Sequence, residues 1–332
     1  SSTTAPQLRA DGARVQYLTS TRAPGPAGWW RLVRRMRQLA PDIVHAWSPS
    51  SDAWARSAAV VAGVPGIVGS ATTWEGETSV LGWVRGRLLA VSSDAIVANH
   101  ELVRDRRMAL DWPGDRIAVI PNGVRLPHQC LRQLARISRS NFVHQLGLPT
   151  TARLFGVVGS LTRRKRIRDV IWAMDLLKCI RDDTHLLIAG SGSFDAQLRR
   201  YTRQVQIMDR VHFLGQREDV STWLRHLDGL ILSSGCDVTP YCVLEAMAHG
   251  VPVVASDLPT LRELVVPGET GYVVPVGNRA GFARAMKAIL ESPDQATQIA
   301  GRARQAVAVQ HDADAMVHRF ERLYRQVHAN SP

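Results

Sequence analysis

The sequence predicts an α/β protein of two Rossmann-like, doubly wound domains facing each other across a cleft, and three observations carry the prediction. Short apolar runs that read as buried strands alternate with helical stretches, the pattern of parallel sheets covered by helices on both faces. The alternation comes in two sets, parted by a stretch that holds two prolines and no strand pattern. A length of 332 residues lets each set bury a core of its own.

In the first set, strands are predicted at Ala13–Leu18, Asp42–Trp47, Gly66–Ala71, Ala95–His100 and Arg116–Pro121, with helices such as Trp29–Leu39 and Asp52–Val61 between them. The second set has strands at Arg153–Gly159, His185–Gly190, Val211–Gly215, Gly229–Ser234, Pro252–Asp257 and Gly271–Pro275. The expected boundaries are a first domain over 1–125, a connection over 126–150, a second domain over 151–310 and a terminal helical segment over 311–332. Met316, Phe320, Leu323, Tyr324 and Val327 make one apolar stripe on that last helix.

Composition narrows the class. With 45% hydrophobic and 21% charged residues the chain is globular, and its longest apolar run, 57–71, is too short and too broken by Gly and Pro to span a bilayer. The start carries neither an initiator Met nor an export signal, and the four cysteines (130, 179, 236, 242) follow no metal-ligand or disulfide spacing, so a reducing, cytoplasmic setting is expected. The net charge of +12 is concentrated: residues 126–168 hold nine Arg or Lys and no Asp or Glu. Such a balance suits anionic substrates, anionic membrane surfaces or nucleic acid, and charge alone does not choose among them.

The second set turns on the stretch from Gly229 to Pro275. A buried strand empties into the small-residue loop Gly235–Pro240, a helix follows, and the strand Pro252–Asp257 comes directly after. Thr239 is the expected N-cap and Pro240 the first-turn residue, Val243, Leu244, Met247 and Ala248 form the buried face, and Gly250 ends the helix. A loop at the carboxyl end of a parallel strand is where open α/β sheets bind ligands, and the free N–H groups of the helix start favour an anion. Glu245 lies about one turn into the helix, and Asp237 precedes it by eight positions in the loop. Two carboxylates beside an anion-favouring helix start suit a ligand that is anionic at one end and polyhydroxylated at the other, as a nucleotide-sugar is.

These residues resemble the signature region of the family 4 retaining glycosyltransferases of the GT-B fold (glycosyl transferases group 1). There a Glu, seven residues and a second Glu precede Ala-Met-Ala-x-Gly-x-Pro-Val-Val; here Glu245 to Val254 reads Glu-Ala-Met-Ala-His-Gly-Val-Pro-Val-Val, and the first Glu is Asp237. Pro41–Ala46, Ile120–Val124, Gly159–Lys165, Leu187–Gly192 and Val211–Gly215 follow in the family's order and at about its spacing. The resemblance implies transfer of a sugar, with retention of configuration and without a metal or other cofactor, from a nucleoside-diphosphate sugar to a glycan, lipid-linked or small-molecule acceptor. The first domain would present the acceptor, the second would bind the donor, and the last helix would return to brace the first domain.

The resemblance also assigns residues. Lys165 would clamp the donor diphosphate, with Arg163 or Arg164 as a second cation in place of the Arg that the family has at Ser160; Asp237 would touch the sugar and Glu245 the ribose. Val238 and Thr239 would offer backbone N–H groups, Gly190 and Gly192 would let the backbone approach the nucleotide or simply form a turn, and Gln216 and Arg217 would face the base. His45 is an acceptor-side candidate at a strand end. The family's first strand and Gly-rich loop are missing from the start, and residues 68–73, where members place an active-site His, contain none. Ser160, Asp237 and the missing Gly-rich loop leave open a nucleotide-sugar-binding protein that has lost catalysis, and a sugar-nucleotide epimerase would use the same donor pocket without an acceptor; a nucleic-acid partner is not expected. Asp312 and Asp314 are read as helix-start residues rather than metal ligands, and His311 and His318 as surface residues. The basic segment Trp29–Arg37 is read either as an amphipathic helix burying Leu32, Val33, Met36 and Leu39 or as a contact with an anionic membrane at the cytoplasmic face.

Overall fold

The computed structural model describes residues 4–17, 25–47, 49–72, 80–125, 138–217 and 219–330. Leu18, Thr73, Cys130 and residues 126–137 of the expected connection lie outside them. The chain divides into two compact units: Ser1–Pro121 with Val317–Pro332, and Asn122–Met316.

The first unit has a parallel sheet of β1 (Ile43–His45), β2 (Gly66–Ala71), β3 (Ala95–Ala98) and β4 (Ile117–Val119), in that spatial order. β2 and β3 are buried along their whole length, as parallel strands covered on both faces must be. The Pro26–Leu39 helix turns Val33 and Met36 onto the Pro49–Ala62 helix and β2, while Leu39 stays 54% exposed, outside the face expected to bury it. Val327 and Leu323 on the Ala313–Asn330 helix are buried in this unit, and a Cβ on Gly66 would come within 2.8 Å of Val327.

One strand prediction fails. Residues 13–17 join neither sheet, and only Val15 is partly covered. Ala13, Val15 and Tyr17 alternate as a strand would, but period-two alternation becomes a strand only where a neighbouring edge accepts its hydrogen bonds.

The second unit has a six-stranded parallel sheet built from β5 (Arg153–Val158), β6 (Thr184–Ala189), β7 (Val211–Gly215), β8 (Gly229–Leu232), β9 (Val253–Ser256) and β10 (Tyr272–Val274), in the order β10-β9-β8-β5-β6-β7. Two apolar cores lie on its faces. One gathers Leu154, Leu187, Leu230, Val243, Leu244 and Val253; the other gathers Phe155, Ile188, Ile231, Ile171, Met174 and Phe282. The alternation of neighbouring strand residues between the two cores is the period-two geometry of a pleated sheet. The described part of the expected connection belongs to this unit: Phe142, on the Arg139–Gln145 helix, stacks on buried Trp223 at 6.0 Å. Asp228 fastens the same segment by accepting from Arg139 Nη2 at 2.8 Å, Arg153 Nη1 at 3.1 Å and the Leu154 N–H at 2.7 Å.

Candidate functional site

The strand order of the second unit reverses direction between β5 and β8, and in such sheets the crevice for a ligand opens at the carboxyl ends of the strands flanking the reversal. Two loops empty there. The one after β5 runs through Ser160 into a tight turn, Arg163–Lys165; the one after β8 runs from Ser233 to Pro240 into the Tyr241–Ala248 helix. They are stitched together, with Ser233 Oγ donating to the Lys165 carbonyl at 2.8 Å and the Gly235 N–H to the Arg164 carbonyl at 2.9 Å.

This stitching brings Lys165 to Asp237. Lys165 Nζ donates to Asp237 Oδ2 in an ion pair whose side chains are 15% and 16% exposed. Ser234 Oγ donates to the same carboxylate oxygen at 3.0 Å, the Val238 N–H to the other at 3.2 Å, and Thr260 Oγ1 to the Asp237 carbonyl at 2.5 Å. Asp237 is therefore fixed by partners from both loops and from the Pro259–Leu261 turn, and the Val238 N–H is already engaged within the protein.

Thr239 is not the helix cap. It is buried with φ +40°, the helix starts at Tyr241, and Pro240 takes the extended dihedrals of the N-cap position. The chain needs this left-handed corner to turn from the Asp237 loop into the helix, and Asn122 Nδ2 holds it by donating to the Thr239 carbonyl at 2.9 Å. Gly250, with φ +69°, ends the helix as its sequence implies.

Glu245 is half-buried on this helix, and burial pushes its carboxyl above the ordinary range; among the described residues no side chain pairs with it. The thiol of Cys242, one turn earlier, registers all three charges. Burial pushes it up to about 12, Lys165 pulls it down, and Asp237 and Glu245 push it further up. Lys165, Asp237 and Glu245 thus share one neighbourhood.

Beside them, a hollow of about 300 Å³ opens at the ends of β5, β6 and β7, lined in part by Ser160, Gly190, Ser191, Gln216 and Arg217. Gly190 and Gly159 set its floor: φ is +149° and +141°, and a Cβ on Gly190 would fall 1.8 Å from the Gly159 carbonyl oxygen. Gly192 has a different task, since its Cβ would fall 2.3 Å from the Leu161 carbonyl oxygen, so it serves backbone packing within the turn. Arg217 is held by Asp219, with Nε and Nη2 donating at 2.7 and 2.5 Å, and this pairing lowers the Asp219 carboxyl. Arg164 is exposed on its turn, while Arg166 and Arg279 both turn to buried Asp169, at 2.8 and 2.7 Å.

His45 belongs to the first unit. Its Nδ1 is 2.7 Å from Tyr324 Oη and its Nε2 2.9 Å from Ser70 Oγ, and its ring stacks on Trp47 at 4.4 Å. Burial lowers it to about 4, so it is neutral at pH 7. Asp312 Oδ2 accepts the Ala315 N–H at 3.1 Å at the start of the last helix, the capping role its position implies. His311 is no surface residue: half-buried, its Nδ1 lies 2.8 Å from the Asn122 carbonyl. Among the described residues no group of three or more His, Cys, Asp or Glu could hold a metal ion, and no helix is long and apolar enough to cross a membrane.

The sequence model described as glycosyl transferases group 1 matches residues 138–306, which is more than half of the chain. The chain belongs to this family. A second model, glycosyltransferase family 4, matches residues 4–127. N-acetyl-alpha-D-glucosaminyl L-malate synthase of Bacillus anthracis is 26% identical over 239 residues, covering 72% of this chain and 59% of that protein. Glycogen synthase of Mycobacterium tuberculosis is 29% identical over 291 residues, covering 83% and 66%. The chain therefore spans about three-fifths to two-thirds of these curated relatives. Among solved structures, HepE of Anabaena in complex with UDP-glucose superposes with a TM-score of 0.82 at 19% identity, covering 97% of this chain and 88% of that one. The fold is accordingly GT-B, two parallel α/β units.

Within this family frame, several side chains at the site were not singled out from the sequence. Ser234 and Thr260 hold Asp237, Asn122 holds the Thr239 corner, and Cys242 lies among the charges. Only Asn122 left a signal, as part of the Ile120–Val124 motif; the others are small residues in loops and on a helix whose positions depend on how two distant segments meet.

Proposed function

We propose that the chain transfers a sugar from a nucleoside-diphosphate sugar to a saccharide or lipid-linked acceptor, with retention of configuration. The observation that carries the reading is the convergence of Lys165, Asp237 and Glu245 at the reversal point of the second sheet, beside a hollow that would receive the nucleoside. Lys165 would stabilise the charge that builds on the diphosphate as the glycosidic bond breaks, and Glu245 would accept hydrogen bonds from ribose hydroxyls. Family membership supports the nucleotide-sugar donor. Retention is the family's usual outcome, in which the leaving phosphate helps to deprotonate the attacking hydroxyl, and no metal enters the scheme. UDP-glucose in the HepE complex makes a uridine donor the first to try.

The acceptor would be presented by the first unit, where neutral His45 ends β1. Contact with an anionic lipid surface belongs to the same proposal, supported by exposed Trp30, Arg31, Arg34 and Arg37 on the Pro26–Leu39 helix. Incubation with UDP-, GDP- and ADP-sugars, followed by product analysis by NMR, tests the reading. Hydrolysis or transfer giving the donor's own anomeric configuration is expected; an inverted product refutes retention, and an epimerised sugar-nucleotide refutes transfer.

A further inference from the structure

The cation expected to hold the diphosphate already has a partner within the chain. Lys165 is paired with Asp237, and the pair is mostly enclosed. Asp237 cannot swing away freely: Ser234 Oγ, the Val238 N–H and Thr260 Oγ1 hold its carboxylate and carbonyl in place. Of the neighbouring cations, Arg166 is paired with Asp169. With Glu245 close by and unpaired, the crevice holds one ammonium against two carboxylates, an unwelcoming field for a diphosphate.

We infer that Asp237 is the built-in counter-ion of Lys165, which a nucleoside diphosphate must displace, so that this carboxylate sets donor affinity by competing with the phosphates for one ammonium. The inference rests on the donor-site reading above and adds a direction to it. A carboxylate that serves only to bind the sugar would leave affinity for a free nucleoside diphosphate unchanged when neutralised. A competing counter-ion would raise that affinity, because the anion no longer displaces a partner and no longer meets an extra negative charge. Removing the competitor is expected to tighten binding roughly fivefold to thirtyfold, equivalent to about 1–2 kcal/mol at about 1.4 kcal/mol per tenfold. A shorter arm than Glu suits the role, since it keeps the carboxylate close to the loop where Ser234 and the Val238 N–H can grip it.

Isothermal titration of UDP, with GDP and ADP in parallel, into the wild-type chain and the Asp237→Asn, Asp237→Ala, Lys165→Ala and Lys165→Ala/Asp237→Asn variants tests the inference. The expected result is fivefold to thirtyfold tighter binding by both Asp237 variants, and loss of that gain when Lys165 is also removed. A merely structural residue does not improve binding when it is removed. Equal or weaker binding by both Asp237 variants, with the wild type binding, overturns the counter-ion role and leaves the donor site standing. Binding by none of the variants and not by the wild type overturns the donor site itself and the inference with it.

Discussion

Replacing Gly190 by Ala probes the geometry that shapes the hollow at the ends of β5, β6 and β7. The added Cβ would fall 1.8 Å from the Gly159 carbonyl oxygen, against 3.4–4 Å for ordinary contact, and a φ of +149° is one that side chains rarely adopt. Relief requires the ends of β5 and β6 to part. Moving the Gly190 backbone loosens its hydrogen bonds on both sides, Gly159 N–H to the Ala189 carbonyl at 3.0 Å toward β5 and Gly190 N–H to the Gly215 carbonyl at 2.7 Å toward β7. Backbone strain of about 1–3 kcal/mol and about 1 kcal/mol for each loosened hydrogen bond sum to roughly 3–5 kcal/mol. For a unit of this size that lowers Tm by roughly 6–20 °C. Gly147→Ala is the control: its φ is +69° but nothing lies within 4 Å of its Cβ, so it should cost only about 1–2 kcal/mol. Calorimetric unfolding of both variants, with UDP titration below their transitions, reads the difference. A Gly190→Ala protein no less stable than Gly147→Ala, with unchanged nucleotide affinity, refutes the close strand approach and its part in the site.

Further outcomes follow from buried charge. Burial raises the Glu245 carboxyl, so the folded chain holds its proton at a pH where the unfolded chain has released it; stability therefore falls as pH rises from the ordinary carboxylate range through the raised value, and Glu245→Gln, measured by thermal melts at pH 4 and 8, should stabilise the protein at pH 8 more than at pH 4. His45 behaves in the opposite sense: lowered from 6.5 to about 4, it takes up a proton more readily when unfolded, so stability falls as pH drops through that window, and His45→Gln should flatten the loss in a pH series of melts. Asp228→Ala strips the acceptor from Arg139, Arg153 and the Leu154 N–H and should destabilise by about 2–3 kcal/mol in urea titrations, most of it from the buried N–H left without a partner.

Much of the second unit was legible because parallel strands buried on both faces write themselves as unbroken apolar runs, as at Leu186–Ala189 and Gly229–Leu232. The helix after Pro240 announced its buried face and its Gly250 stop. What failed to read were features set by encounter. Residues 13–17 have a strand's alternation but no edge to join, Thr239 has a cap's side chain but sits at a left-handed corner, and residues 138–150 look like a connection but bury Phe142 against Trp223. The same holds at the site. Lys165 and Asp237 each stand out in the sequence, but their mutual pairing does not, since it depends on Ser233 and Gly235 drawing two loops together across 68 positions of sequence.

In the proposed function, Lys165 and Glu245 hold a nucleoside diphosphate at the reversal point of the second sheet. Titration of UDP, GDP and ADP into the wild type, Lys165→Ala and Glu245→Ala tests it most directly. The wild type is expected to bind at least one of the three, and each substitution to weaken that binding by about tenfold or more, the loss of a charge-assisted contact of about 1.5–3 kcal/mol. Wild-type binding that survives both substitutions undiminished, or no binding of any of the three, would contradict it.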